Sequence, residues 1–319
     1  MKAFVMKKYG TIADIEQIHC VEPALGHGMV RASVRAAAIN PADLKVISGK
    51  DGGRFIHSAR PPIGIGYDFS GVIQETGAGV SRFVPGDEVF GFLPYSRKTI
   101  QGSFADCVVV KSDTIAKKPA SVSHVEAATA ATAASTALQA LVDIGRIAAG
   151  QKVLINGASG GVGSYALQIA KGLGAEVWGT CGSAGLDYIR SLGADHVLDY
   201  RKENIEDLFE KFDIVFDVVS NASLGRLTGI LAPKGVYVTL LPSLGLVTGK
   251  IRSLFSSQKC EVCIVQPRTA DLEKIADMID GKELATPVAE VYPVSDLKTA
   301  LQRLAESGVR GKIGIIVND

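Results

Sequence analysis

The stretch Val153-Leu-Ile-Asn-Gly-Ala-Ser-Gly-Gly-Val-Gly-Ser164 constrains the fold more than any other part of the chain. An apolar, β-branched run enters it and an alanine-rich apolar run to Leu173 leaves it. That order predicts a strand, a tight glycine turn and a helix in immediate succession. Behind it, strand and helix signals keep alternating. Strands are predicted at 175–179, 196–198, 214–218, 236–240 and 261–265, and helices at 186–192, 205–211 and 224–231. Such alternation builds a parallel sheet with helices on both faces, a doubly wound α/β fold of the Rossmann kind.

The same stretch fits three chemical signatures. Residues 157–161 fit G-x-S-x-G, the elbow of a serine hydrolase with Ser159 as nucleophile. That chemistry needs an acid and then a histidine after the serine. Only His196 follows, two strands on, too early for a returning histidine loop. Residues 157–163 fit G-x-x-x-G-x-G, which in its reductase class accompanies a Tyr-x-x-x-Lys pair; no tyrosine here has lysine four positions on. Residues 158–163 fit A-x-G-x-x-G, a dinucleotide loop, and the strand-to-helix context is the one that loop requires. Its small residues let the backbone approach a pyrophosphate, which the helix N-terminus then holds with amide donors and positive dipole. The competing reading is a plain turn with no ligand.

The choice between nicotinamides turns on the next strand. NAD binders carry a carboxylate at its end to hold the ribose hydroxyls. Here the strand runs out through Thr180-Cys181-Gly182-Ser183 without one. The missing acid points to NADPH, with Ser183, Tyr200 and Arg201 as the nearest partners for a 2′-phosphate.

Residues 1–118 read as irregular β structure, short apolar runs broken by Gly, Pro and Asp. An alanine-rich helix follows, capped by Ser123 with Glu126 three residues on. The C-terminal part predicts helices at 271–279 and 297–306 and a strand at 312–317. Segment 243–258, with Lys250 and Arg252, reads as a surface loop. With 34 basic and 33 acidic residues the net charge is +1, which leaves no electrostatic footprint for nucleic acid or an anionic membrane. The expected partner is a small molecule. Five scattered cysteines make no disulfide framework and favour a reducing, cytoplasmic setting. The first residues lack the apolar core of a leader peptide. The most apolar stretch, 127–140, reads as a packed helix and not a membrane span. Between Gly91 and Lys111 only Cys107 could bind a metal through sulfur, and Cys260-Glu-Val-Cys263 would point its thiols to opposite faces of a strand.

Five stretches carry a family resemblance: Ile39-Asn-Pro-Ala-Asp-Leu-Lys45, Gly66-Tyr-Asp-Phe-Ser-Gly71, 157–171, Ser191-Leu-Gly-Ala-Asp-His-Val-Leu-Asp-Tyr200 and Arg310-Gly-Lys-Ile313. Over nearly its full length the chain resembles the medium-chain dehydrogenase/reductase superfamily. Within it, the resemblance is to the zinc-free quinone and oxoene (alkenal/one) reductases, including the reticulon-interacting mitochondrial members. It implies a GroES-like β-rich catalytic domain over 1–119, a Rossmann domain over 120–266 and a C-terminal return over 267–319 that completes the catalytic domain. It implies that Asn40, Asp43, Lys45 and Tyr67 line the reaction site, with Tyr67 or Lys45 donating toward the developing enolate oxygen. Cofactor contacts would come from Thr136, Ser159, Gly160, Gly161, Val162, Gly163, Thr180, Gly182, Ser183, Tyr200, Val218, Leu240 and Lys312. Zinc-dependent relatives place Cys where Asn40 stands and His-Glu where Tyr67-Asp68 stand, so no metal is expected. Ala184-Gly185 and Val218-Val-Ser-Asn221 depart from the family's usual residues beside the 2′-phosphate and the nicotinamide. Relatives pair their last sheet strand, here 259–265, across a two-fold, so a homodimer is expected.

The expected activity is zinc-independent, NADPH-dependent hydride transfer to a quinone or to the activated C=C of an α,β-unsaturated carbonyl. The alternatives are a non-catalytic NADPH-binding protein and a serine hydrolase using Ser159.

Overall fold

A computed structural model describes residues 1–242 and 244–318. Ser243, the first residue of the segment read as a surface loop, lies outside the described residues. The chain divides into two compact units. One comprises Met1–Ser135, Gln266–Lys282 and Thr286–Asp319, and the other Thr136–Val265 and Glu283–Ala285.

The first unit begins with β1 (Lys2–Met6) and β2 (Ile15–His19), then the long β3 (Met29–Ala38). Helices α1 (Pro41–Ser48) and α2 (Gly53–Ile56) follow, then β4 (Ile63–Gly64), β5 (Asp68–Thr76), β6 (Glu88–Phe92), β7 (Cys107–Lys111) and β8 (Ile115–Lys117). Strand β3 is the spine. Its residues alternate between half-buried and buried, and it pairs antiparallel with β5 along its length and with β7 over its first half. The Asn40-Pro41 step ends it abruptly, because proline fixes the first helical φ and lacks the N–H that a helix leaves unused there. Helix α3 (His124–Leu138) closes this part, and the boundary between the units falls inside it, after Ser135.

The second unit is a six-stranded, all-parallel sheet. It is built from β9 (Lys152–Asn156), α4 (Gly161–Gly172), β10 (Glu176–Cys181), α5 (Leu186–Ser191), β11 (His196–Asp199), β12 (Phe212–Asp217), α6 (Leu224–Leu227), β13 (Leu231–Thr239), α7 (Leu244–Ser253) and β14 (Lys259–Val262). The strand order is β11-β10-β9-β12-β13-β14. The order reverses between β9 and β12, the switch point where open α/β sheets bind ligands at the strands' carboxyl ends. Val153, Leu154 and Ile155 of β9 are fully buried, as a central parallel strand requires.

Three local expectations fail here. The segment 205–211 holds only the single turn Ile205–Asp207, because Phe212 is drawn into the sheet and leaves too short a run for a helix. The helix expected at 224–231 stops at Leu227, and β13 already begins at Leu231. The expected surface loop is largely helix α7. At Gly249 the helix backbone rests on β14: a Cβ there would fall 2.6 Å from Cys260 Sγ.

The chain then returns to the first unit through α8 (Thr269–Asp280), β15 (Val288–Pro293), α9 (Leu297–Ala305) and β16 (Lys312–Ile316). Strand β16 pairs parallel with β15 and antiparallel with β3, giving the order β15-β16-β3-β5-β6-β8. This pairing sets Lys312 against the end of β3, where Ile39 and Asn40 lead into α1. Among the described residues no helix is long and apolar enough to cross a membrane.

Candidate active site

In the first unit the polar residues converge on Asp68, the first residue of β5, which is fully buried. Its Oδ2 accepts from Asn40 Nδ2 at 2.9 Å and from the Lys312 ammonium at 3.2 Å. Its Oδ1 accepts from the Thr132 amide at 3.0 Å and from the Thr132 hydroxyl. Lys312 Nζ also donates to Asn40 Oδ1 at 2.6 Å and to the Ile39 carbonyl at 2.9 Å. Lys312 was expected beside the cofactor; the β16–β3 pairing places all three N–H groups of its ammonium on Ile39, Asn40 and Asp68 instead. Asn40 is equally committed, since its amide bridges the ion pair and its backbone N–H donates to Asp43 Oδ2 at 2.7 Å.

Asp43 is wholly buried on α1, its carboxyl held against the Asn40 and Gly66 amides. Burial, with Asp68 nearby, pushes its carboxyl up to about 7. Tyr67, expected to donate toward substrate, is only 1% exposed, and its hydroxyl donates to the Ile56 carbonyl at 2.9 Å. The same hydroxyl lies 3.2 Å from His57 Nδ1. Burial, then the Asp43 charge, holds its phenol proton well beyond the usual range. Burial drives the His57 imidazole the other way, down to about 4, so both groups are neutral. The ring of Tyr95 stacks on Tyr67, centroids 4.1 Å apart, and its hydroxyl bonds to the Thr132 side chain. Lys45, half-buried on α1, has its ammonium pK lowered by desolvation, with Asp51 opposing.

Asn40, Asp43 and Tyr67 are therefore drawn into one buried neighbourhood. Asp68, Thr132, Tyr95 and His57 belong to it too and were missed. Asp68 alone had a signal, its place in the Gly66–Gly71 motif; the others come from segments with no pattern linking them.

In the second unit, the cofactor candidates gather at the carboxyl ends of the strands. Ser159 to Gly163 form the turn after β9 and the head of α4; Thr180, Gly182 and Ser183 end β10; Tyr200, Val218 and Leu240 follow β11, β12 and β13. Gly157 adopts a left-handed φ of 90°, which glycine accepts without strain. A Cβ on Gly163 would fall 2.2 Å from the Gly157 carbonyl, so only glycine lets α4 start this close to β9. At Gly160 the nearest atom to a Cβ would be 3.7 Å away, an open cradle over the helix N-terminus. The loop thus fits a dinucleotide pyrophosphate. Thr180 does a different job from the one expected. Its fully buried hydroxyl accepts from the Gly157 amide at 3.0 Å and donates to Asn156 Oδ1 at 2.7 Å, so it braces the turn from beneath. Asn156 in turn donates to Asp217 and Asn221 at 2.8 and 2.9 Å, and the Asp217 carboxylate meets the Ser220 and Ala222 amides and the Tyr237 hydroxyl. Thr136 is buried within α3. The hydrolase geometry is missing: His196 begins β11, at the opposite end of the parallel sheet from Ser159, stacked on Trp178 and bonded to Glu176.

The comparisons with known proteins agree with this architecture. Residues 26–120 match the family model "Alcohol dehydrogenase GroES-like domain" and residues 192–315 match "Zinc-binding dehydrogenase". A zebrafish (Danio rerio) relative, "NAD(P)H oxidoreductase RTN4IP1, mitochondrial", is 31% identical across 98% of this chain and 90% of its own. The chain belongs to the medium-chain dehydrogenase/reductase superfamily. Its oxidoreductase relatives include the Arabidopsis thaliana "NADPH-dependent alkenal/one oxidoreductase, chloroplastic", 32% identical over 92% of this chain and 80% of that one. Among solved structures, the quinone oxidoreductase from Coxiella burnetii superposes with a TM-score of 0.89 at 26% identity, covering 100% of this chain and 99% of its own. Asn40 and Asp68 are both bonded to the Lys312 ammonium. Among the described residues no group of three or more His, Cys, Asp or Glu side chains is gathered for a metal.

Two outcomes follow for the first unit. Lys312→Met leaves the Asp68 carboxylate buried without its counter-charge and should cost about 3–5 kcal/mol in urea unfolding, as loss of one partner of a buried pair does. The raised Asp43 pK means that the folded state holds more protons than the unfolded chain from about pH 4 to about 7, so Asp43 makes stability fall as pH rises through that window. The depressed His57 pK, from 6.5 to about 4, makes stability rise with pH between those values. The two oppose each other. Asp43→Asn should leave a net rise in unfolding free energy from about pH 4 to 6.5, and His57→Gln a net fall to about pH 7, both read from urea melts at stepped pH. Slopes identical to the parent in both variants would refute the assignment.

Proposed function

We propose that this protein is a zinc-independent, NADPH-dependent reductase that passes hydride to a quinone or to the β-carbon of an α,β-unsaturated carbonyl. The observation that carries the reading is the Asn40–Asp68–Lys312 cluster. A side-chain ammonium takes the donor set that would otherwise face a metal, in a chain whose other unit presents a dinucleotide turn. The relatives named for alkenal/one and quinone reduction support the substrate class.

NADPH, when bound, supplies the hydride, and the protein supplies orientation and a polarising environment. The 157–163 turn and the head of α4 hold the pyrophosphate. Asn40, Asp68 and Lys312 immobilise one another. Tyr67 and Tyr95 stack on one another. Tyr67, with its proton on the Ile56 carbonyl, positions and does not donate. Lys45, already partly desolvated, is the donor toward the oxygen that gains charge as hydride arrives. A solvent proton completes the reduction.

The protein acts in the cytoplasm as a homodimer in this reading. Strand β14 ends the sheet with its outer edge unpaired among the described residues, and exposed Val247, Ile251, Leu254 and Phe255 lie on and just beyond the neighbouring α7. Free edges and apolar patches of this kind are covered in stable proteins.

NADPH labelled with deuterium at C4 should deliver label to the β-carbon of an enone, or be oxidised by a quinone, in a panel of such acceptors. Lys45→Met should lower kcat/KM by roughly 10- to 1000-fold, the range for loss of one donor, with NADPH affinity unchanged. No turnover with any acceptor would reduce the protein to a nucleotide binder. Light scattering at micromolar concentration should give twice the chain mass; a monomer mass would remove the dimer.

A further inference from the structure

The end of β10 lacks a carboxylate in sequence but not in space. Strands β10 and β11 run parallel with Cys181 opposite Asp199. As the chain leaves β10 through Gly182, the Ser183 hydroxyl donates to Asp199 Oδ2 at 2.5 Å, and Asp199 Oδ1 accepts from the Arg201 amide at 3.1 Å. These contacts, the Ser183 hydroxyl first, hold the Asp199 carboxyl below the usual range, so it is ionised at neutral pH. Tyr200 is 56% exposed and lays its ring over Gly182, where a Cβ would stand 3.4 Å from the Tyr200 hydroxyl. The Arg201 guanidinium lies 5.9 Å from the centre of that ring. Gly182, Ser183, Asp199, Tyr200 and Arg201 are thus one built cluster at the end of the second strand. That is where dinucleotide folds distinguish a free ribose 2′-hydroxyl from a 2′-phosphate.

We infer that Asp199, acting through Ser183, is the specificity-determining residue of the nucleotide site and restrains its preference for a 2′-phosphate. The inference rests on the NADPH reading above and refines it. A serine hydroxyl has one proton. Given to Asp199, it leaves Ser183 to face a ligand with lone pairs, which accept from a ribose hydroxyl but repel phosphate oxygens. The carboxylate adds negative charge beside the same position, and like charges there oppose the phosphate. Tyr200, more than half exposed, and the Arg201 cation pull the other way. The absent basic residue at Ala184-Gly185 leaves them to do so alone. Preference is therefore a balance between one carboxylate and one guanidinium–phenol pair.

The test is direct titration of NADPH and NADH, and of adenosine 2′,5′-bisphosphate against 5′-AMP, with the parent protein, Asp199→Asn and Asp199→Ser. Asparagine keeps an acceptor for the Arg201 amide, and serine provides an independent variant should the first fold poorly. The ratio of the NADH to the NADPH dissociation constant should rise about tenfold, or 1.4 kcal/mol, in both variants through tighter NADPH binding. The bisphosphate should gain on 5′-AMP by a similar factor. Arg201→Ala should move the ratio the opposite way. A ratio unchanged within about twofold, or one that moves toward NADH on removing the carboxylate, overturns the inference while leaving the cofactor reading in place. A parent protein that binds none of the four ligands overturns both.

Discussion

The first unit depends on one buried ion pair. Lys312 and Asp68 stand 244 residues apart in the chain, are almost or wholly removed from water, and neutralise one another at 3.2 Å. Isolated burial of either charge would be prohibitive, so the pair survives only because every remaining valence is met. Asn40 bridges the two charges, Ile39 supplies a carbonyl, and Thr132 supplies an amide and a hydroxyl. The start of β5, the end of β3, the middle of α3 and the start of β16 are thereby tied at one point. Satisfying such a network completely is what turns a polar interior from a liability into a specification of geometry.

The same logic recurs in the second unit around the side chain of Asp217. Asn156, Thr180 and Asp217 sit at the carboxyl ends of three adjacent strands and bond to one another. Their partners are the amides of the turns that a nucleotide would meet: Gly157 through Thr180, and Ser220 and Ala222 through Asp217. The turns are therefore held from beneath by side chains that need not touch the ligand. Glycine then does what no other residue could above them, letting α4 approach the Gly157 carbonyl. In both units these buried polar groups have their hydrogen bonds made within the fold, which is how such a cluster keeps its geometry.

Much of this was legible in the sequence. The glycine stretch after β9 announced strand, turn and helix, and alternation behind it announced the parallel sheet, because side-chain period and glycine placement are local properties. The motif around Asn40 and the one around Asp68 marked the two halves of the buried cluster. The local pattern misled at 205–211, where Phe212 joined a strand, and at 243–258, where the expected loop is largely helix α7.

By itself, then, the sequence determined the doubly wound sheet and the nucleotide turn. These follow from patterns within a dozen residues. Only the tertiary structure decided what each polar side chain was for. It moved Lys312 from the expected cofactor contact onto Asp68, because β16 pairs with β3. It turned the Tyr67 hydroxyl onto the Ile56 carbonyl and put Asp199 beside the carboxyl end of β10, where that strand carries no acid. The physical reason is the same in each case: a buried donor or charge must find its partner in space, and strand pairing between distant segments chooses which partner is within reach.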